Sequence, residues 1–503
     1  MAIDSAKYAK TIAQSIAERF MESVGEGWKR AWATGGPNAA DVRLAPSVTI
    51  LLRGAPKRET SPAESTSMRR CRKGPKVRGT SRVVLGLLLA AACACAARGA
   101  ARAETPRVRP GIDVLLTDSI HLIQGKRVGL ITNQTGVDAR GVSDIDRLRG
   151  AEARAANVRL VKLYSPEHGI RGTEDREDLA SGIDARSGLF IHSLYTSGTI
   201  GPPDSTLGDL DVLVVDLQDI GTRTWTYVGV VLYAMRAAAR HDLPIVVLDR
   251  PNPISAVRPD GPILDPSIAN SNEPAPARPG KAYALHPVPL RHALTMGEMA
   301  LYFNADLRIG ARLHVVPVAG WRRAMWFDET GLPWVRPSPN LPNLASATVY
   351  PALVPFEATN VSVGRGTPDA FQRLGAPWLR ADSAVAMLNA RNLPGVRFER
   401  SDFTPRDATD RKYSGQLVGG IRVVVTDRDH FAAGRTGAAL LWAIRRVAGD
   451  SLVVRGAAWD DRFGRPGMRE ALMRGADPDS VVALDAANVA AWWRQVARFR
   501  LYQ

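Results

Sequence analysis

A Rossmann-like, doubly wound parallel-sheet domain followed by a second α+β domain is what this chain predicts, on three observations. Near-continuous Val, Ile and Leu runs such as Val212 to Leu217 read as strands buried on both faces. Helical segments alternate with them. Polar segments rich in acids, amides and arginines follow the runs, at the strand ends where an open α/β sheet collects its loops into one crevice.

The chain is long enough for two or three units. Its 503 residues carry a formal charge of +16, yet residues 1–103 hold 18 Lys and Arg against 7 Asp and Glu, and the remainder 48 against 43. The basicity is therefore mostly N-terminal, which disfavours nucleic acid as a partner. Residues 1–67, with a helix-like piece from Tyr8 to Trp32, read as a non-native or disordered extension upstream of a natural start at or near Met68. Residues 68–103 read as a signal peptide: basic residues through Arg82, an apolar stretch from Val83 to Ala97 and an A-x-A cleavage site at Ala101-Arg102-Ala103. Cys71, Cys93 and Cys95 all precede that site, so the mature chain is expected to use no disulfide and no thiolate chemistry. Acylation of Cys93 is the competing lipoprotein reading.

Residues 108–265 are assigned to the Rossmann-like domain. Strands are expected at Arg127 to Thr132, Val158 to Tyr164, Leu189 to Tyr195, Val212 to Leu217 and Pro244 to Leu248. Helices are expected over Asp144 to Ala155 and Tyr227 to His241. The Pro- and Ala-rich residues 266–289 read as a linker or surface loop. Residues 290–503 form the second domain. It opens on a helix after Thr295, whose spacing to Glu298 is that of a capping box. A strand follows at Gly420 to Thr426, then helices at Thr436 to Val447 and Ala486 to Phe499.

Five segments can carry chemistry: Thr132-Asn133-Gln134, Pro166 to Gly169, Gln218 to Arg223, Asp249 to Pro253 and Glu357 to Thr367. Glu167 follows a strand in a turn stiffened by Pro166, and a carboxyl held in a partly desolvated cleft can donate a proton at neutral pH. The structural alternative has it cap the turn or pair with Arg171. His168 is expected to orient a hydroxyl or that carboxylate. Gln218, Asp219 and Tyr227 can hydrogen-bond sugar hydroxyls, although Asp219 and Arg223 can equally hold their own loop together. Arg250 and Asn252 are displayed between prolines, and the planar fork of Arg250 suits a carboxylate; the bland reading again is internal pairing. His292, Asn340, Glu357, Asn360 and Arg365 add polar groups from the second domain, and Trp334 an aromatic platform unless it is core. Glu298 is expected to be a cap. No G-x-G-x-x-G follows the first strand, and P-loop, H-E-x-x-H and G-x-S-x-G patterns are missing, so no cofactor and no metal are expected.

Ser165 to Gly169, Asp216 to Tyr227, Leu248 to Pro253, Pro337 to Pro342 and Glu357 to Thr367 together resemble the exo-β-N-acetylmuramidase family. These are the NamZ-type bacterial glycoside hydrolases formerly catalogued as a domain of unknown function. The resemblance runs from about Gly111 to the C-terminus. It implies an active-site cleft between two domains and release of N-acetylmuramic acid from non-reducing ends of peptidoglycan fragments, with Glu167 matching the proposed general acid. The lactyl carboxylate of such a substrate nominates Arg223, Arg250 and Arg365. For the second catalytic group Asp219 is the first choice, and the substrate's own acetamido group the alternative. Periplasmic or secreted location follows from the export signal, with no stable membrane span after cleavage. The chain departs from the family pattern at Trp225, where Phe or Tyr is common, and in lacking a cysteine before the Gly420 strand. A non-catalytic periplasmic glycan-binding protein is the competing function, and a nucleotide-dependent oxidoreductase a third.

Overall fold

The structure, a computed structural model, describes residues 108–172, 179–194, 200–272 and 279–503. The stretches read as an N-terminal extension and an export signal, and the three cysteines, lie outside them. In chain order the strands are β1 (Arg127–Thr132), β2 (Arg159–Ser165), β3 (Gly182–Ile183), β4 (Phe190–Ser193), β5 (Val212–Asp216), β6 (Ile245–Leu248), β7 (Asp260–Ile263), β8 (Pro289–Arg291), β9 (Leu313–Val316), β10 (Arg373–Ala376), β11 (Val396–Arg400) and β12 (Gly419–Val425).

Seven of them make one sheet in the order β3-β4-β2-β1-β5-β6-β9, parallel throughout except where β3 meets β4. Every residue of β5 and β6 is buried, as their unbroken apolar composition requires of strands covered on both faces. The chain builds outward from β1 through β2 to β4 and then returns to place β5 on the other side of β1. That reversal opens the crevice a doubly wound sheet offers to ligands, flanked by the loops after β1 and β5.

Two sequence expectations need correction. The helix expected over Asp144 to Ala155 is two short ones, Asp144–Arg147 and Ala151–Ala155, because Gly150 turns extended at φ −74° and ψ −175° and interrupts the hydrogen-bond ladder. The parallel sheet also runs past the boundary expected at residue 265: its edge strand β9 and the helix Met296–Asp306 come from the stretch assigned to the second domain. In between, residues 266–289 are not a bare linker. Ala282, Ala284, Leu285 and Val288 are buried, and β8 pairs antiparallel with β7. Pro and Ala composition marks a loop locally, while burial of the apolar side chains it carries is decided by what packs over it.

Beyond residue 345 the helix Leu344–Leu353, the three-stranded antiparallel sheet β10-β12-β11 and the helix Ala433–Ala448 form the other half. The last helix is shorter than expected, Ala486–Gln495, and tightens into a 3₁₀ turn over Val496–Phe499. One hydrophobic core runs from Ile131 and Val215 of the parallel sheet through Leu353 and Leu440 to Val496, so both halves share an interior. The chain's end is stitched back onto the first half: Leu501 N donates to Glu298 Oε1 at 2.8 Å and Tyr502 Oη to Asp249 Oδ2 at 2.5 Å. Glu298 does complete the capping box with Thr295. Among the described residues no helix is long and apolar enough to cross a membrane.

Candidate active site

β2 ends at Ser165, and the chain must turn at once. It does so with His168 at φ 71° and Gly169 at φ 74°, two consecutive left-handed residues. For a histidine that conformation costs about 1–3 kcal/mol and persists only where the surroundings fix it, a pattern that clusters at functional sites. Glu167, the residue before it, is half-buried. Its Oε2 accepts a 2.7 Å hydrogen bond from Thr226 Oγ1, and Oε1 has no hydrogen-bond partner among the described residues. Thr226 is the N-cap of the helix Tyr227–Arg240, so the carboxyl lies at the positive end of a 14-residue helix.

Tyr227 ties neighbouring loops together. Its hydroxyl accepts from Asn133 Nδ2 at 2.7 Å and donates to the Pro337 carbonyl at 3.0 Å, which brings the Pro337 to Pro342 segment to the same crevice. Burial, then the charge of Glu167, push its phenol well above the usual range. His168 is buried beside Glu167.

The polar residues beneath this surface serve the fold. Asp219 is 3% exposed; its Oδ2 accepts from Gly221 N at 2.7 Å and lies 3.2 Å from His292 Nε2. Gly221 is obligatory there, since at φ 77° a Cβ would sit 2.5 Å from Asn252 Oδ1. Asn252 in turn donates to the Leu294 carbonyl, and Gln218 to the carbonyls of Asp219 and Pro251. Arg250 is a buried partner of Asp216, reaching Oδ2 at 2.9 Å and the Val137 carbonyl at 2.8 Å. Asp144 completes that cluster: burial, then the charge of Asp216, raise its carboxyl well above the usual range. Arg223 donates to three carbonyls, those of Tyr283 (2.8 Å), Asp461 (3.0 Å) and Arg462 (2.8 Å), and burial pulls it down to about 9.

Those three bonds matter because they fix the opposite wall. Arg462 stacks its guanidinium over the half-buried Tyr283 ring at 4.0 Å and brings Nε to 3.8 Å from Glu357 Oε2. Glu357, in the 3₁₀ turn Val354–Ala358, accepts from Arg365 Nη2 at 2.6 Å and Nε at 3.0 Å, both on Oε1. Burial alone would raise the Glu357 carboxyl, but Arg365, Arg462 and Lys412 together carry it below the usual range. Lys412 holds three carbonyls of the same loop, and burial lowers its ammonium to about 8. The phenol of Tyr283 is raised by burial and then by both Glu357 and Glu167. Tyr283 thus lies within electrostatic reach of both glutamates.

Of the residues nominated from sequence, the structure brings Glu167, His168 and Tyr227 together around Thr226, and Glu357 together with Arg365. It places Asp219, Gln218, Arg223, Arg250, Asn252 and His292 in the bonded layer below. Asn340 is half-buried after Ser338, whose Oγ accepts from its backbone N–H, and Asn360 binds the backbone of Ser451 and Val453. Trp334 packs edge-on against Phe327 at 5.1 Å. Sequence reasoning misses Thr226, Tyr283, Lys412 and Arg462. Thr226 is legible as the polar residue before a helix; Tyr283 lies within the stretch read as a linker, and nothing local distinguishes Arg462 or Lys412. Two cavities, of about 480 Å³ beside Trp326 and Arg422 and about 570 Å³ beside Val482 and Trp493, are lined by neither glutamate. Among the described residues no cluster of three His, Cys, Asp or Glu is placed to hold a metal ion.

Comparison with known proteins gives the following. Residues 128–345 match the family model for the N-terminal part of exo-β-N-acetylmuramidase NamZ, and residues 348–502 that for its C-terminal part. The chain is 38% identical to the peptidoglycan β-N-acetylmuramidase NamZ of Bacillus subtilis (strain 168) over 382 residues, 76% of this chain and 88% of that protein. Two crystal structures of DUF1343 family proteins from Bacteroides fragilis NCTC 9343 are similar. One has a TM-score of 0.70 at 32% identity and the other 0.61 at 28%, each match covering 79% of this chain and 99% of the other.

Proposed function

We propose, for a chain that belongs to the exo-β-N-acetylmuramidase NamZ family and is a glycoside hydrolase, that it releases N-acetylmuramic acid from non-reducing ends of peptidoglycan fragments, with Glu167 as general acid. The observation that carries the reading is the carboxyl of Glu167: half-buried, fixed through Oε2 by Thr226, with Oε1 left for a ligand. An acid must present one oxygen to the glycosidic oxygen in a fixed direction, and this hydrogen bond supplies the direction. As the bond to the anomeric carbon lengthens and oxocarbenium character develops, Glu167 gives its proton to the departing oxygen.

The lactyl carboxylate of muramic acid calls for cations. Arg365, Arg462 and Lys412 cluster around Glu357 and keep part of their side chains exposed, whereas Arg223 and Arg250, also nominated from sequence, are buried against carbonyls and Asp216. Export to the compartment that contains peptidoglycan agrees with the signal read over residues 68–103, and N-terminal sequencing of the exported protein tests it.

The decisive experiment is hydrolysis of a β-linked muramoyl disaccharide by purified protein and by Glu167→Gln. Loss of about 10²–10⁴-fold in kcat with unchanged circular dichroism supports the acid. Parent-like turnover in the variant, or tight binding of the disaccharide by the parent without turnover, overturns it.

A further inference from the structure

Glycoside hydrolysis needs a second group to act at the anomeric carbon, and the first choice from sequence is Asp219. Its Oδ2 accepts from the backbone of its own loop, and Oδ1, though it has no hydrogen-bond partner, is sealed from solvent with the rest of the residue. Glu357 differs in accessibility, its side chain being 12% exposed. Its Oε1 is clamped twice by Arg365, while Oε2 accepts no hydrogen bond among the described residues and lies 3.8 Å from the Arg462 Nε. A carboxylate held by one oxygen and left open at the other is rigid, charged and able to accept a proton.

Covalent and hydrogen-bonded geometry ties this group to Glu167. Arg223, Trp225 and Thr226 belong to one loop. Thr226 holds Glu167; Arg223 holds the backbones of Tyr283 and Arg462; Arg462 lies over the Tyr283 ring and reaches Glu357. Trp225 bridges the walls, edge-on to Tyr227 at 5.3 Å and to Tyr350 at 5.8 Å. One loop therefore sets the spacing between the two glutamates.

We propose that Glu357 is the second catalytic carboxylate, removing a proton from the water that attacks the anomeric carbon; the proposal rests on the reading of Glu167 as acid. The water oxygen bonds to the anomeric carbon as the glycosidic bond breaks. The electron pair of that bond stays on the departing oxygen, which takes the proton of Glu167, and the water's proton passes to Oε2 of Glu357. One water is consumed, Glu167 ends ionised and Glu357 protonated, and exchange with solvent restores both. Direct attack by water inverts the anomeric centre, so a β-muramoside yields the α-anomer first.

The test compares Glu357→Gln and Glu167→Gln on two substrates, the disaccharide and an aryl β-muramide with a nitrophenolate leaving group. Glutamine keeps an oxygen for Arg365 but cannot take the proton. Glu357→Gln is expected to lose about 10²–10⁴-fold in kcat on both substrates. Glu167→Gln loses as much on the disaccharide and far less on the aryl glycoside, whose departure needs no proton. Proton NMR of the parent reaction shows the α-anomer first, and azide restores turnover to folded Glu357→Ala with an α-glycosyl azide as product. Glu357→Gln with a parent-like kcat and a raised KM, the β-anomer formed first, or a folded Glu357→Ala that azide does not rescue each overturns the assignment. Full disaccharide activity in Glu167→Gln would instead sink the reading beneath it, whatever Glu357 does.

Discussion

The cleft surface and the layer directly beneath it use the same residue types to opposite ends. Below, Asp216 and Arg250 are buried and paired with each other beside Asp144, and Arg223 is bonded to three carbonyls. Above, Glu167 and Glu357 are each held through one oxygen and open at the other. Removing a partner from the lower layer leaves an uncompensated charge in a dry interior, which is a cost in stability. On the proposed reading, replacing a carboxyl of the upper surface by its amide costs activity rather than stability. Acids and arginines at strand ends are therefore not candidates by position alone; Asp144 and Asp219 also carry an unbonded oxygen, but theirs is sealed from solvent, whereas Glu167 and Glu357 are only partly buried.

This contrast can be broken by experiment. Arg250→Ala is expected to destabilise the fold by about 3–5 kcal/mol in denaturant unfolding, since it strands Asp216; a parent-like midpoint would erase the distinction. Asp249, in the same lower layer, is raised to about 6, burial being the largest cause. The folded state thus holds more protons than the unfolded one between about pH 4 and 6, and this residue's contribution is full below about pH 4 and lost as pH rises through 6. The difference between parent and Asp249→Asn stability curves should change by on the order of 3 kcal/mol across that window. Thr226→Val removes a hydrogen bond to a carboxyl and is expected to lower kcat about 10- to 100-fold and shift the pH profile, with Thr226→Ser restoring both. Asp219→Asn is the smallest effect expected on catalysis, within about threefold in kcat/KM for folded protein. A loss as large as that of Glu167→Gln would return Asp219 to the chemistry.

Much of the fold is legible in the amino-acid sequence. The strands at Arg127, Val212 and Ile245 fall where their apolar runs lie, and the helix from Tyr227 ends one residue from its expected stop. Thr295 and Glu298 cap as their spacing requires. These succeed because burial on both faces, helical periodicity and capping are local properties of a few adjacent side chains. The family resemblance and the position of Glu167 are equally readable, each resting on contiguous motifs.

The domain boundary, the role of residues 266–289 and the pairing of each arginine are not. β9 joins the sheet from well beyond the expected boundary, Tyr283 feels the charge of two glutamates more than seventy residues away on either side in sequence, and Arg462 arrives from near the C-terminus. An arginine displayed between prolines looks the same in sequence whether it meets a substrate or Asp216. Which it meets depends on where distant segments come to rest, and that is set by the packing of one shared core.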